Sequence, residues 1–234
     1  MRNSVIMLLV SLLLMSCQTQ TRQGGEESTV DAGAWPEFDY SMRARDGFEV
    51  YSLDPESRID VLVRRDGPLA RFGHDHVVSI TLAEGFLFLA RPLSGSRADL
   101  RFDVAQMEVD DAALRTFYQL ETQPDDDDIE ATRANMLSKV LYADQWPGIF
   151  LSLSGFRAEA ESFSADLVIT VGENLYRSRE NFHLSRSGQG VTVSGQTTLK
   201  QTDLGLEPFS TLGGGLRVAD TLEVYFSIQG NLQK

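Results

Sequence analysis

The sequence is poor in the residues that most catalytic and structural chemistries need. It has one cysteine, Cys17, so no disulfide can form within the chain. It has three histidines, His74, His76 and His183, which is few for a metal centre that takes three or four ligands. It has no basic surplus: 21 Lys and Arg stand against 34 Asp and Glu, a formal charge of −13. With no basic stripe to displace counterions from phosphates, the composition argues against a nucleic-acid partner. There is no Gly-x-Ser-x-Gly nucleophile elbow. The four aspartates Asp125 to Asp128 lack the glycine turn of a calcium loop. They read instead as carboxylates at a helix N-terminus, where the helix dipole favours each by about 0.3–1 kcal/mol.

The apolar run from Val5 to Met15 is also too short to span a membrane comfortably, which takes about 20 residues. Behind Arg2 and ahead of a small residue it has the form of a secretion signal. Leu14-Met15-Ser16-Cys17 resembles a bacterial lipobox, which implies lipidation of Cys17 as the first mature residue. In lipoproteins of diderm bacteria, Gln18 rather than Asp after that cysteine implies outer-membrane sorting. The expectation is a signal peptide over residues 1–16 and a lipidated tether over 17–45, rich in Gln, Thr, Gly and Glu without periodicity. The acidic body would be repelled by an anionic bilayer, so membrane residence would rest on the anchor.

What the chain has in abundance, from about Phe48 onward, is period-two alternation. Ile59, Val61 and Val63 share a face, as do Leu100, Phe102 and Val104, and Ile149, Leu151 and Leu153. So do Phe163, Ala165, Leu167, Ile169 and Val171, then Val191, Val193 and Leu199, and finally Leu222, Val224, Phe226 and Ile228. Turn residues such as Asp66-Gly67-Pro68 and Gly172-Glu173-Asn174 bound the runs. Short strands at close spacing, each with one apolar face, predict an all-β domain over 46–234, either sandwich or barrel. A helical excursion interrupts them. A short helix is expected over 111–118, capped by Asp110, and a second over 129–141 with an apolar stripe of Ile129, Met136, Leu137, Val140 and Leu141. An eight-stranded barrel would have room for side chains or one slim ligand. The inward set of aliphatics and Phe would make that ligand apolar.

Two histidines lie in Leu69-Ala70-Arg71-Phe72-Gly73-His74-Asp75-His76. In an extended segment His74 and His76 face the same way, with Val78 and Ile80, while Asp75 faces the other. A metal-dependent enzyme built on His74 and His76 would need a third ligand. Parity puts His183 outward, opposite Phe182 and Leu184. A hydrolase would need a nucleophile beside a base oriented by an acid, and Asp75 points away from both rings. Contact with local backbone or with the polar end of a ligand remains for the pair, and a ligand-free structural module is a further alternative. Lys200 and Asp203 read as a pair pinning a turn.

The histidine stretch is close to the Gly-His-Asn/Asp-His pattern of the YceI-like family of lipocalin-like, polyisoprenoid-binding proteins. Leu199-Lys200-Gln201-Thr202-Asp203-Leu204-Gly205 through Ser210, followed by Gly214-Gly215-Leu216-Arg217-Val218-Ala219-Asp220, resembles the C-terminal block of that family. Thr132 to Leu137 and Trp146-Pro147-Gly148-Ile149 resemble its helix and following strand. The resemblance implies an eight-stranded antiparallel lipocalin-like barrel holding an isoprenoid chain, without cofactor or catalysis. Its expected contacts are His74, His76, Val78, Ile80, Phe163, Leu167, Ile169 and Phe226. Together with the lipobox it implies a protein of the bacterial envelope, lipid-anchored in the outer membrane and facing the periplasm. One departure stands out: Val171 occupies a position where many members carry histidine.

Overall fold

The period-two runs become strands, and the strands close into a ring. The structure, a computed structural model, describes residues 37–233. The signal segment, Cys17 and the tether as far as residue 36 lie outside the described residues. Twelve strands form one sheet: β1 (Glu49–Leu53), β2 (Arg58–Asp66), β3 (His76–Thr81), β4 (Glu84–Leu89), β5 (Arg97–Asp103), β6 (Glu108–Val109), β7 (Gly148–Ala158), β8 (Phe163–Val171), β9 (Asn174–Ser187), β10 (Gly190–Lys200), β11 (Ser210–Thr211) and β12 (Leu216–Leu232). All pairings are antiparallel, and they close on themselves in the order β1-β4-β5-β7-β8-β9-β10-β12-β1. This is the eight-stranded antiparallel barrel that the resemblance implied.

Three of its walls are interrupted strands. β12 pairs first with β2, from Arg217↔Asp66 to Ser227↔Arg58, and then with β1, from Leu53↔Gly230 to Tyr51↔Leu232. β1 and β2 therefore share one edge of β12, with a break at residues 54–57. Fully buried Ser57 satisfies that break, since its Oγ donates to the Gln229 carbonyl at 3.2 Å and accepts the Gln229 N–H at 2.9 Å. β3 and β4 continue each other in the next wall, β5 and β6 in the one after. Such breaks let long strands bend around a small barrel without leaving backbone groups unpaired.

The excursion between β6 and β7 holds α2 (Ala112–Phe117) and α3 (Asp126–Asn135), the latter followed by a π-helical turn over Met136–Val140. The aspartates do cap α3: the Asp125 carboxylate accepts the Asp128 N–H at 2.9 Å. The cap of α2 differs from expectation. Asp111, not Asp110, accepts the Leu114 N–H at 2.9 Å. Asp110 sits one residue outside, at φ 59°, with its side chain turned into the protein.

The tether expected through residue 45 ends earlier. Residues Glu37–Arg45 form a helix, α1, lying outside the barrel wall. Its Tyr40 is buried, stacks on Phe86 with ring centres 5.1 Å apart, and donates its hydroxyl to buried Asp99 at 2.5 Å. Burial and that carboxylate both push the Tyr40 phenol far above its ordinary pKa. One aromatic side chain thus fastens a helix that has no apolar stripe of its own.

Candidate functional site

The barrel encloses a cavity of about 500 Å³, within the usual range of small-molecule sites. Most walls contribute inward-facing aliphatics, among them Ile59, Val61 and Val63 from β2, Leu151 and Leu153 from β7, and Val224 and Ile228 from β12, while β9 contributes Phe182 and Glu180. Of the residues expected to contact a ligand, Val78, Ile80, Leu167, Ile169, Phe226, His74 and His76 all line it. Phe163 does not. It stacks against Phe182 with ring centres 6.2 Å apart, and Phe182 presents itself to the cavity instead. Phe163 faces inward as its parity requires, but lies beyond the floor.

The other end is a mouth built from the segment before β3, helix α3 and the loop between β10 and β12. Two of these loops touch through glycine. Gly67 has φ +95°, and a Cβ there would lie 2.7 Å from the Gly215 carbonyl oxygen, so no side chain fits the approach. The apolar stripe of the excursion turns inward over this end, with Met136, Val140 and Leu141 all lining the cavity. The loop after β10 is pinned differently from expectation. Asp220 takes the Thr202 N–H at 2.9 Å and its hydroxyl at 2.8 Å, and Gln201 donates to the Ala219 carbonyl at 2.8 Å. No Lys200–Asp203 ion pair forms among the described residues.

The two histidines have different surroundings. The His76 Nδ1 lies 2.5 Å from Asp110 Oδ2, and both groups are buried. The same carboxylate accepts the Val77 N–H at 3.0 Å and the Arg115 guanidinium. Arg115 is itself buried and donates to the Asp75 and Thr122 carbonyls. Burial alone would push the Asp110 carboxyl up, but His76, the Val77 amide and Arg115 together hold it below the usual carboxylate range. His74, by contrast, reaches Asp128 at the start of α3, with Nε2 to Oδ2 at 3.3 Å, while its Nδ1 is buried without a partner among the described residues. The two rings stand 6.2 Å apart. Asp75 faces away, as parity required, accepting the Arg65 N–H at 3.0 Å. His183 is exposed on the outer face.

Each imidazole therefore has its own carboxylate, and among the described residues no group of three metal-ligating side chains converges. Asp110 orients His76 as an acid orients a catalytic base, but no hydroxyl or thiol is hydrogen-bonded to that ring among the described residues. Sequence reasoning missed Asp110 and Arg115, whose roles exist only in three dimensions. It also passed over Glu180 and Thr197, which line the cavity. Glu180 shares the parity of Tyr176 and Phe182, so that signal was present.

The chain matches no protein-family model and no curated protein by sequence. Its structure is similar to that of BcnA from Burkholderia cenocepacia, with 12% identity over 76% of this chain and 98% of that one, TM-score 0.51. It is similar in the same degree to a polyisoprenoid binding domain from Saccharophagus degradans implicated in plant cell wall breakdown, at 12% identity over 78% and 98%, TM-score 0.51. A Campylobacter jejuni YCEI protein aligns at 9% identity over 67% and 82%, TM-score 0.44. At such identities the likeness is one of architecture: the chain shares with BcnA and the polyisoprenoid binding domain a barrel fold, here an eight-stranded antiparallel ring.

Proposed function

We propose that this protein binds or carries an apolar, isoprenoid-type lipid inside its barrel, and does so without chemistry on that lipid. The observation that carries the reading is the cavity of about 500 Å³, walled almost wholly by aliphatic and phenylalanine side chains and open at one polar mouth. A domain that needed only stability would fill that space, because voids of this size cost contacts on every wall. The Saccharophagus degradans domain, described as polyisoprenoid binding, supports the choice of ligand class. In this reading Val78, Ile80, Leu167, Ile169 and Phe226 contact the chain, and His74 with His76 border it at the mouth. Cys17 carries the lipid anchor, and the barrel serves at the outer membrane, facing the periplasm.

Native mass spectrometry of protein extracted under mild conditions should find a long-chain lipid. Emptied protein should take up prenols with affinity rising about fourfold per buried methylene, from about 0.8 kcal/mol each, until the cavity is full. A barrel that is reproducibly empty and takes up no chain of any length overturns the proposal.

A further inference from the structure

One stretch of the barrel wall is not closed by hydrogen bonds. β9 and β10 pair only beside their hairpin, from Ser187↔Gly190 to His183↔Ser194. Beyond that point both remain strands. β9 stays paired with β8 as far as Asn174, and β10 with β12 as far as Lys200. Their shared edge opens along residues 176–182 and 195–200, roughly 20 Å at about 3.3 Å per residue. The loop after β10 closes the far end of the opening: Leu204 is buried, and a Cβ on Gly205 would meet the Asn174 side chain at 2.3 Å. Below, Phe226 lies so close under β10 that a Cβ on Gly195 would fall 2.6 Å from its ring. The result is a framed window in an otherwise continuous wall.

Polar groups face the cavity at this window. Glu180 lines the interior and is half-buried, yet no cation or hydrogen-bond donor meets its carboxylate among the described residues. Ser178, two residues along on the same face, has a buried Oγ with no partner. Thr197, another lining residue, lies on β10 across the opening from β9. Polar atoms left unpaired against an apolar cavity are costly and call for a partner. At the mouth the carboxylates and guanidinium groups are already committed, Asp110 to His76 and Arg115, Asp128 to His74, Arg65 to the Gly73 carbonyl and Arg217 to Asp66, while the His74 Nδ1 is a buried ring nitrogen without a partner among the described residues.

We infer that this window holds the polar end of the ligand, and that this end is a hydrogen-bond donor such as an alcohol, not a phosphate. The inference rests on the lipid-binding reading above and names the head group that reading leaves open. A hydroxyl would donate to the Glu180 carboxylate and could accept from Thr197, which also lines the cavity. A phosphate would set like charges side by side, with no Lys or Arg of β9 or β10 lining the cavity to offset them.

The test compares farnesol with farnesyl phosphate as probes on the delipidated full chain, at matched detergent. Wild type should prefer the alcohol by roughly tenfold or more, the scale of one close like-charge repulsion partly screened by water. Glu180→Gln, which keeps the shape and removes the charge, should reduce that preference to about threefold or less, and Glu161→Gln, at an exposed carboxylate outside the cavity, should leave it unchanged. Farnesol should also slow hydrogen exchange at amides 195–200. Equal binding of both probes by wild type, a preference that survives in Glu180→Gln, or one abolished equally by Glu161→Gln overturns the inference while lipid binding stands. No uptake of either probe overturns both readings.

Discussion

Replacing Asp110 by alanine tests whether the mouth is held by a buried charge network. The Asp110 side chain is fully buried at the end of β6, where one carboxylate serves His76 Nδ1 at 2.5 Å, the Val77 amide at 3.0 Å and the Arg115 guanidinium. Removal leaves Arg115, 6% exposed, as an uncompensated buried cation. Breaking a buried pair in this way costs about 3–5 kcal/mol. For a domain of this size each kcal/mol lowers Tm by about 2–4 °C, so the expected fall is about 6–20 °C. The orphaned Val77 N–H pushes toward the upper end, since an unmet buried donor costs about 1–3 kcal/mol. Asp110→Asn should fall between, because an amide oxygen still accepts from Val77 but cannot neutralise Arg115. Thermal unfolding followed by far-ultraviolet circular dichroism measures the effect. A fall of less than about 3 °C in the alanine variant would refute the reasoning, showing that Arg115 finds water or another acceptor once Asp110 is gone.

The same carboxyl sets an acid limit. Its folded pKa lies below its ordinary value, so its contribution is complete above the unfolded pKa of about 3.9 and is lost as pH falls through the lower folded value. Urea midpoints should therefore stay level from pH 7 to 5 in this respect and fall below about pH 4, with a smaller fall in Asp110→Ala. Tyr40→Phe removes the hydroxyl that meets Asp99 at 2.5 Å. Hydrogen bonds to charged groups contribute about 1.5–3 kcal/mol, which denaturant titration would read directly. An unchanged midpoint would mean that this hydrogen bond adds nothing to the hold of α1 on the barrel.

Much of the barrel was legible because strand parity is a one-dimensional signal. Ile59, Val61 and Val63, or Leu167 and Ile169, face inward in the structure as their alternation required. What parity leaves undefined is height along the barrel axis, and Phe163 shows the consequence: right face, wrong level. Asp110 and Asp111 are the same residue type side by side, and only His76 and Arg115, distant in sequence, decide which caps α2 and which turns inward. Helix α1 was invisible for a related reason. Its residues carry no apolar stripe, and its buried anchor, Tyr40, is fixed by Asp99, 59 residues away, with Arg43 lying over the Phe88 ring beside it. Glu180 was legible in principle, since the parity that turned Phe182 inward turned its neighbour two residues back inward as well.

The closure of the ring by its first and last strands has a consequence in time. Tyr51 pairs with Leu232, and among the described residues the long strand β12 is the element that joins β10 to β1 and β2. No barrel can exist until the chain has been made through Leu232. Pairings so distant in sequence are slow to find, and until they form, β1, β2 and β10 carry bare edges open to other chains. A chain cut a few residues short of Leu232 would lose the β1 seam while keeping every other strand, and would carry the slow, sticky stage of its own folding permanently.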